Sequence, residues 1–432
     1  MPPGGHEVKA AVFCPDNHRE PAVPRAHVDA SRWPDVATVP HSSPLRAGVA
    51  AWVVRRALGR LPLRVQLGGA PLTGDEGFVV RVRDPHAFFR RLGADGLIGF
   101  GESYMAREWE TDDLVGVLTV LAAHVSSLVP RPLQVLRGLW AHRHPAGERN
   151  SPSGARANIQ RHYDLSNDLF GLFLDETMTY SAAVFRGFPA SWPVLADAQR
   201  RKIDRLLDLA EVTHGTRLLE IGTGWGELAL RAADRGAHVT TVTLSREQRD
   251  FAAARIEEAG HTGHVSVELC DYREVRGEFD AIVSVEMIEA VGEEYWPVYF
   301  DTLARLLAPG GRVALQAITM AHERMQATRD TYTWIHKYIF PGGLIPSAEA
   351  MSQAAAPAGL AIVRDDAFGP HYAETLRLWR ERFIARADDV ERLGFDATFI
   401  RMWEFYLAYC EAGFSARYLD VHHMVLAQAG AR

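Results

Sequence analysis

An acid, an apolar residue and three alternating glycines stand together in Leu219-Glu-Ile-Gly-Thr-Gly-Trp-Gly-Glu227, on an apolar run that begins at Thr216. Gly222, Gly224 and Gly226 allow a tight turn and a close approach of backbone to ligand, and a helical pattern follows from Leu228. Such a strand-to-helix turn is where an open α/β sheet binds a nucleotide-like molecule. A dinucleotide fingerprint wants another glycine at the position of Glu227, so pyrophosphate binding is disfavoured. Glu220 is able to accept from an ammonium group, directly or through water. Thr243 ends the second apolar run, where many nucleotide-binding sheets carry an acid for a ribose. Ser245-Arg-Glu-Gln248, next along the chain, reads as a capping box that starts a helix. Glu286 and Glu289 follow the fourth apolar run at a spacing that one helical turn puts on one face. Acids so placed are candidates for proton transfer, or equally for a helix N-terminus favoured by the dipole.

The elements that must hold these residues alternate. Strands are predicted at Arg217–Ile221, His238–Thr243, Val265–Leu269, Asp280–Val285 and Arg312–Ile318, with helices between them. That order implies a parallel, doubly wound α/β sheet. Leu306-Leu-Ala-Pro-Gly-Gly311 reads as a helix end before the last of these strands. Upstream, residues 1–44 are rich in Pro, His, Asp and Ser without a period, and are expected to be flexible or draped over the surface. A smaller α+β unit is expected over 45–129. It has a helix around Val49 to Leu58, strands at Leu63–Leu67 and Phe78–Val82, a helix from Pro85 to Leu92, and an amphipathic helix over 114–128 capped by Asp112 or Asp113. Residues 130–157, rich in Pro, Gly and Arg, read as a linker, and 158–432 as the catalytic unit.

With 432 residues, 47% hydrophobic and 23% charged, the chain has the composition of a soluble protein of two or more domains. A net charge of −7 disfavours a nucleic-acid partner. Cys14, Cys270 and Cys410 are far apart, which suits a reducing cytosol and gives no metal site. The N-terminus lacks the pattern of a signal peptide.

Several ordered motifs then match one family. They are Asn158-Ile-Gln-Arg-His-Tyr-Asp-Leu-Ser-Asn-Asp-Leu-Phe170 running into Glu176-Thr-Met-Thr-Tyr-Ser181, Val242-Thr-Leu-Ser-Arg-Glu-Gln248, and Phe279-Asp-Ala-Ile-Val-Ser-Val-Glu-Met-Ile-Glu-Ala-Val-Gly292. Lys337-Tyr-Ile-Phe-Pro-Gly-Gly343, Phe368-Gly-Pro-His-Tyr372 and Trp379-Arg-Glu-Arg-Phe383 follow, and Gly96 to Met105 with Trp109 extend the match upstream. The glycine turn resembles motif I of S-adenosylmethionine (SAM) methyltransferases. The whole resembles the cyclopropane-fatty-acyl-phospholipid and mycolic-acid cyclopropane synthases, and most closely the actinobacterial branch of unsaturated-phospholipid methyltransferases. The resemblance implies a seven-stranded, mostly parallel Rossmann-like methyltransferase domain beside the smaller N-terminal one. It assigns SAM to Tyr180, Ser181, Glu220, Gly222, Gly224, Gly226, Thr243, Gln248, Asp271, Tyr272 and Val285, with Thr243 and Gln248 on the ribose and Asp271 and Tyr272 beside adenine. It also implies a bound bicarbonate ion as proton acceptor, held by Glu289, Tyr372, Ile318 and the positions of Ala182 and Gln316. The family usually has Cys and His at those last two. The backbone amide of Ala182 can serve in place of the cysteine's. Gln316 can replace a histidine hydrogen bond but does not titrate.

The reaction so implied is attack of an alkene on the sulfonium methyl, with the resulting carbocation stabilised by aromatic faces and a nearby anion. Loss of a proton from the added methyl closes a cyclopropane; the other outcome is a methylene or methyl branch, favoured in this chain because of Gln316. The expected substrates are unsaturated acyl chains of membrane phospholipids, drawn into an apolar tunnel lined by Trp334, Tyr338 and Phe340. The linker arginines, with Arg46, Arg55, Arg56 and Arg60 around Trp52, suit peripheral contact with anionic headgroups at the inner face of the membrane. A homodimer and a separate reductase are further expectations. The alternatives are a methyltransferase for a free or carrier-bound acyl chain or other small molecule, and a lipid-binding protein whose active site has decayed.

Overall fold

A computed structural model describes residues 28–58, 60–74, 76–128 and 166–430, with 145 and 154 between them. Residues 1–27, the expected linker apart from those two residues, and 158–165 of the first motif lie outside the described residues.

In the N-terminal unit, apolar residues at alternate positions form β1 (Leu63–Leu67) and β2 (Phe78–Val82), which bury Leu63, Val65, Val80 and Val82. The two pair in parallel, and β3 (Trp109–Thr111) joins β2 antiparallel. That third strand is too short to show a period. Asp84 caps the helix Pro85–Asp95 through the Ala87 N–H at 2.9 Å, and Asp113 caps Leu114–Leu128 through the Gly116 N–H at 2.8 Å. The helix Leu97–Met105 occupies a stretch for which no element was expected. Its glycines serve packing: a Cβ on Gly99 would strike the Arg91 backbone, and one on Gly101 the Trp334 indole. Within the stretch expected to be flexible or draped, Pro34–Ala37 is a short helix with Val36 buried. The buried Arg91 guanidinium donates to the carbonyl oxygens of Asp35 and Val36 at 2.7 and 2.6 Å, and to Glu108 at 2.9 Å.

The second unit is built on one sheet of seven strands: β4 (Arg217–Ile221), β5 (His238–Thr243), β6 (Val265–Leu269), β7 (Phe279–Val285), β8 (Leu307–Met320), β9 (Leu360–Ala367) and β10 (Leu419–Gln428). Their order is β6-β5-β4-β7-β8-β10-β9, parallel from β6 to β8, with β10 antiparallel to both its neighbours. Leu218 to Ile221 of β4 are buried on both faces, as a central strand covered by helices on each side must be. The chain runs from β4 outward to β5 and β6, then crosses back to β7. The loops after β4 and β7 therefore flank the crevice of a topological switch point. β8 starts at Leu307, directly after the helix Trp296–Leu306. Pro309-Gly310-Gly311 is thus not the helix end expected from sequence but an irregularity inside the strand, at the register shift opposite β7.

The helices Gly369–Ala385 and Ala397–Ser415 pack on each other and carry Tyr372, Trp379, Phe383, Trp403 and Tyr406 into one buried aromatic cluster. Phe405 meets Phe100 and Tyr104 of the N-terminal unit at 6.2 and 5.4 Å, and Trp334 at 4.8 Å. One apolar core therefore passes through both units. Among the described residues no helix is long and apolar enough to cross a membrane.

Candidate active site

The loop after β4 turns with Gly222, Gly224 and Gly226 at φ of +98°, +52° and +91°, a region that disfavours any side chain with a Cβ. Their surroundings differ. A Cβ on Gly226 would lie 3.0 Å from that of Ala252, so this glycine lets the loop pack on the helix Arg246–Glu258; one on Gly224 would meet no atom within 4 Å. Gly224 thus presents bare backbone to the open crevice. Glu220 ends up buried beside it, with Oε2 lacking any hydrogen-bond partner. Burial lifts its carboxyl to about 8, although the Thr241 hydroxyl and the Lys202 charge pull the other way.

Thr243 and Gln248 come together: the Thr243 hydroxyl donates to Gln248 Oε1 at 3.1 Å. Only half of the expected capping box forms. Ser245 Oγ accepts from the Gln248 N–H at 3.2 Å, while the Gln248 side chain turns to Thr243. Asp271 caps the 3₁₀ turn Tyr272–Glu274, and both its oxygens receive the Arg273 guanidinium, at 2.8 and 2.6 Å. Tyr272 packs edge-on to Tyr299 at 5.5 Å. Val285, at the end of β7, is half-buried opposite Gln316.

Thr177 to Ala182 reach the site from the other side. Tyr180 stacks on Trp379 at 5.3 Å and shares a hydroxyl hydrogen bond with Tyr406 at 2.7 Å. Three residues that no sequence motif marks fasten this segment. The fully buried Lys202 donates to Ser181 Oγ at 2.5 Å, and Gln199 Nε2 donates to the Ser181 carbonyl at 2.8 Å. Arg255 bridges the carbonyls of Trp225 and Thr177, at 2.9 and 3.3 Å, to Glu227 at 2.7 Å, and so ties this segment to the glycine loop. No motif marks Lys202 or Arg255; the tertiary fold buries Lys202 fully and Arg255 in part.

The two acids after β7 do not share one helical turn. Glu286 has φ +49°, and the 3₁₀ turn begins only at Ile288, so their carboxylates take different partners. Glu286 Oε1 accepts from the Ala182 N–H at 2.9 Å and Gln316 Nε2 at 2.7 Å, and Oε2 from the Tyr372 hydroxyl at 2.6 Å. Glu289 Oε1 accepts from the Ile318 N–H; its Oε2 is buried without a partner. Burial, then the neighbouring Glu286 charge, lifts Glu289 to about 8. Burial also raises Glu286, against Tyr372, Ala182, Lys202 and Gln316, which all favour its charged form. Of the pair, Glu286 is the better-stabilised anion and Glu289 the better-held acid.

The residues expected along an acyl tunnel divide. Trp334 is buried against Gly101 and Phe405, and the Tyr338 hydroxyl donates to the buried Glu102 at 2.9 Å, beside Lys337 Nζ at 2.6 Å. Both therefore fasten the N-terminal unit to the second one. Phe340 instead lies edge-on to Tyr406 at 5.9 Å, within the aromatic cluster that reaches Tyr180.

Residues 150–424 match the family described as mycolic acid cyclopropane synthetase. The chain belongs to this family. It is 54% identical over 418 residues to tuberculostearic acid methyltransferase UfaA1 of Mycobacterium tuberculosis (strain ATCC 25618 / H37Rv), covering 94% of this chain and 98% of the relative. It is 34% identical to the cyclopropane-fatty-acyl-phospholipid synthase of Escherichia coli (strain K12), covering 83% and 90%. Among solved structures, mycolic acid cyclopropane synthase CmaA1 complexed with SAH and CTAB superposes with a TM-score of 0.58 at 31% identity, covering 63% of this chain and 97% of that one.

Two groups that this family implies can be tested against the residues. SAM fits. The unpartnered, buried Glu220 oxygen and the open space at Gly224 suit an ammonium and a close backbone approach. A separate bicarbonate does not fit. The donors assigned to it at Ala182, Gln316 and Tyr372 all close on the Glu286 carboxylate, and only Ile318 points to Glu289. An anion added there would sit against an existing carboxylate with its hydrogen bonds already taken.

Proposed function

We propose that this chain transfers a methyl carbon from SAM to the double bond of an unsaturated phospholipid acyl chain, with Glu286 as proton acceptor and a methylene-branched chain as product. The observation that carries this reading is the Glu286 carboxylate ringed by the Ala182 N–H, the Gln316 amide and the Tyr372 hydroxyl. Bound SAM supplies an electrophilic methyl, so the alkene π electrons form the new carbon–carbon bond and no enzymic nucleophile is needed. The cation left on the acyl chain is stabilised by the faces of Tyr180, Trp379 and Tyr406 and by the Glu286 charge. Glu286 then takes the proton that leaves. If the added methyl loses it at once, a cyclopropane closes; after a hydride shift from the methylated carbon to its neighbour, the same loss leaves a methylene branch on the linear chain. The relative at 54% identity is named a methyltransferase and the one at 34% a cyclopropane synthase, which favours the branched product. Reduction of the methylene to a methyl branch belongs, in this reading, to a separate reductase.

Peripheral contact with the inner face of the membrane is part of the proposal. The helix Pro44–Leu58 leaves Leu45 and Trp52 exposed at 77% and 53%, with Arg55 beside them and the Arg56 guanidinium 5.7 Å from the Trp52 ring. Each arginine near anionic headgroups contributes about 1 kcal/mol, screened by salt. Purified protein incubated with SAM and anionic oleoyl-phospholipid vesicles is expected to yield a methylene-branched acyl chain by mass spectrometry and NMR, less of it as salt rises. A cyclopropane as sole product would reverse the branch assignment, and no transfer at all would overturn the reading.

The Glu220 carboxyl adds a pH signature. At about 8 it is protonated at neutral pH in the free protein, whereas pairing with the SAM ammonium requires the carboxylate. SAM binding is therefore expected to release a proton, with affinity rising up to about tenfold per pH unit below pH 8 and levelling off above it. Calorimetry in buffers of different ionisation enthalpy measures both; an affinity flat between pH 6 and 8 removes Glu220 from the cofactor site.

A further inference from the structure

Behind Gln316 lies a histidine that the methyl-transfer chemistry does not use. His423 stands on β10 directly across the ladder from Gln316 on β8 and is fully buried, with Phe368 edge-on at 4.4 Å. Its Nε2 is 2.8 Å from Gln316 Oε1, and its Nδ1 is buried without a partner. The other end of the Gln316 amide, Nε2, faces Glu286 Oε1 at 2.7 Å and the Ala182 carbonyl at 3.3 Å. A carboxylate and a carbonyl only accept, so the amide must turn its NH₂ to them and its oxygen to the imidazole. The imidazole must then bring a hydrogen on Nε2. Charging the ring would place a second N–H at Nδ1 with no acceptor, close to the cations Arg205 and Lys202 and to His371.

We propose that His423 is a positioning residue: as a fixed neutral Nε2–H donor, it locks the Gln316 amide in the one orientation that donates to the Glu286 carboxylate. This rests on the reading of Glu286 as proton acceptor. Without the imidazole donor, the amide oxygen loses its partner and the amide is held at its NH₂ end alone, so its donation to the carboxylate is no longer fixed in place. Lys202, Tyr372, the Ala182 N–H, Glu289 and Cys410 surround Glu286 whatever the amide does, so the amide orientation is what His423 controls.

The test compares His423→Leu, Gln316→Leu, the double variant and Glu286→Gln, each checked for folding and SAM affinity. Losing one charge-assisted hydrogen bond is expected to cut kcat about tenfold and move the acid limb of its pH profile up by about one unit, with SAM affinity unchanged. Added to Gln316→Leu, the histidine change should cost nothing more, because the group it orients is gone. Equal losses in both backgrounds, or an acid limb that stays in place, overturn the proposal. Should the leucine variant not fold, His423→Gln, which still carries a donor, is expected to keep the wild-type limb; a shifted limb in that folded variant also overturns it. An active Glu286→Gln would defeat the acceptor reading itself. An inactive one with an unmoved limb in His423→Leu defeats the positioning alone.

Discussion

Glu286→Gln is expected to lower turnover roughly 10²–10⁴-fold, the usual range for a lost general base, with SAM affinity close to wild type. The amide matches the carboxylate in size, and its oxygen can still accept from the Ala182 N–H or Tyr372, so the pocket keeps its shape. What it cannot do is take a proton. Glu289→Gln is expected to be far milder. Glu289 sits at about 8 and already holds its proton at neutral pH, and a glutamine reproduces that neutral form while accepting from the Ile318 N–H. Stopped assays of labelled methyl entering extractable lipid measure both. If the Glu289 variant were dead and the Glu286 variant active, the roles of the two acids would be exchanged. The sign of the pH dependence follows from the same geometry. The acceptor works only when ionised, and burial raises its pKa, so activity falls as pH drops through a value above that of an ordinary glutamate.

β4, β5 and β6 were legible to the residue, and β7 to within one: β4, β5 and β7 are inner parallel strands with apolar runs bounded by turn residues, while β6, at one sheet edge, shows the alternation of Val265, Val267 and Leu269 with polar residues. β9 and β10 were not. β9 is the other sheet edge and carries Arg364, Asp365 and Asp366, while His422 and His423 interrupt the apolar run of β10. In both, tertiary pairing decides what local composition leaves open. Of the candidate site, the glycine loop stood out in the sequence itself, while Thr243 with Gln248 and Tyr372 with Gln316 were named by the resemblance; the fold brings the first two together and sets the other two on Glu286. Spacing said nothing of which acid the donors would meet. The left-handed backbone at Glu286 turns its carboxylate into a ring of donors expected for a separate ion, and nothing in the one-dimensional pattern marks a non-glycine residue for that conformation. Lys202 and His423 were invisible for a similar reason: their burial comes from elements far away in the chain.

Gly224→Val is expected to abolish SAM binding while the protein stays folded. At φ +52° a β-branched residue is strained by about 1–3 kcal/mol, well within the roughly 5–15 kcal/mol that typically holds a domain together. Nothing stands within 4 Å of the added Cβ, so no clash with the protein itself adds to that cost. The isopropyl group instead fills the space through which backbone would approach the cofactor. The same change at Gly226 serves as the contrast. There the new side chain would press on Ala252, only 3.0 Å from its Cβ, and force the loop away from the helix Arg246–Glu258, so a loss of thermal stability is expected along with the loss of binding. Calorimetric titration with SAM and thermal unfolding separate the two variants. A Gly224→Val protein that binds SAM with wild-type affinity would show that the cofactor lies elsewhere, and Glu220, Thr243 and Gln248 would lose their place as its partners.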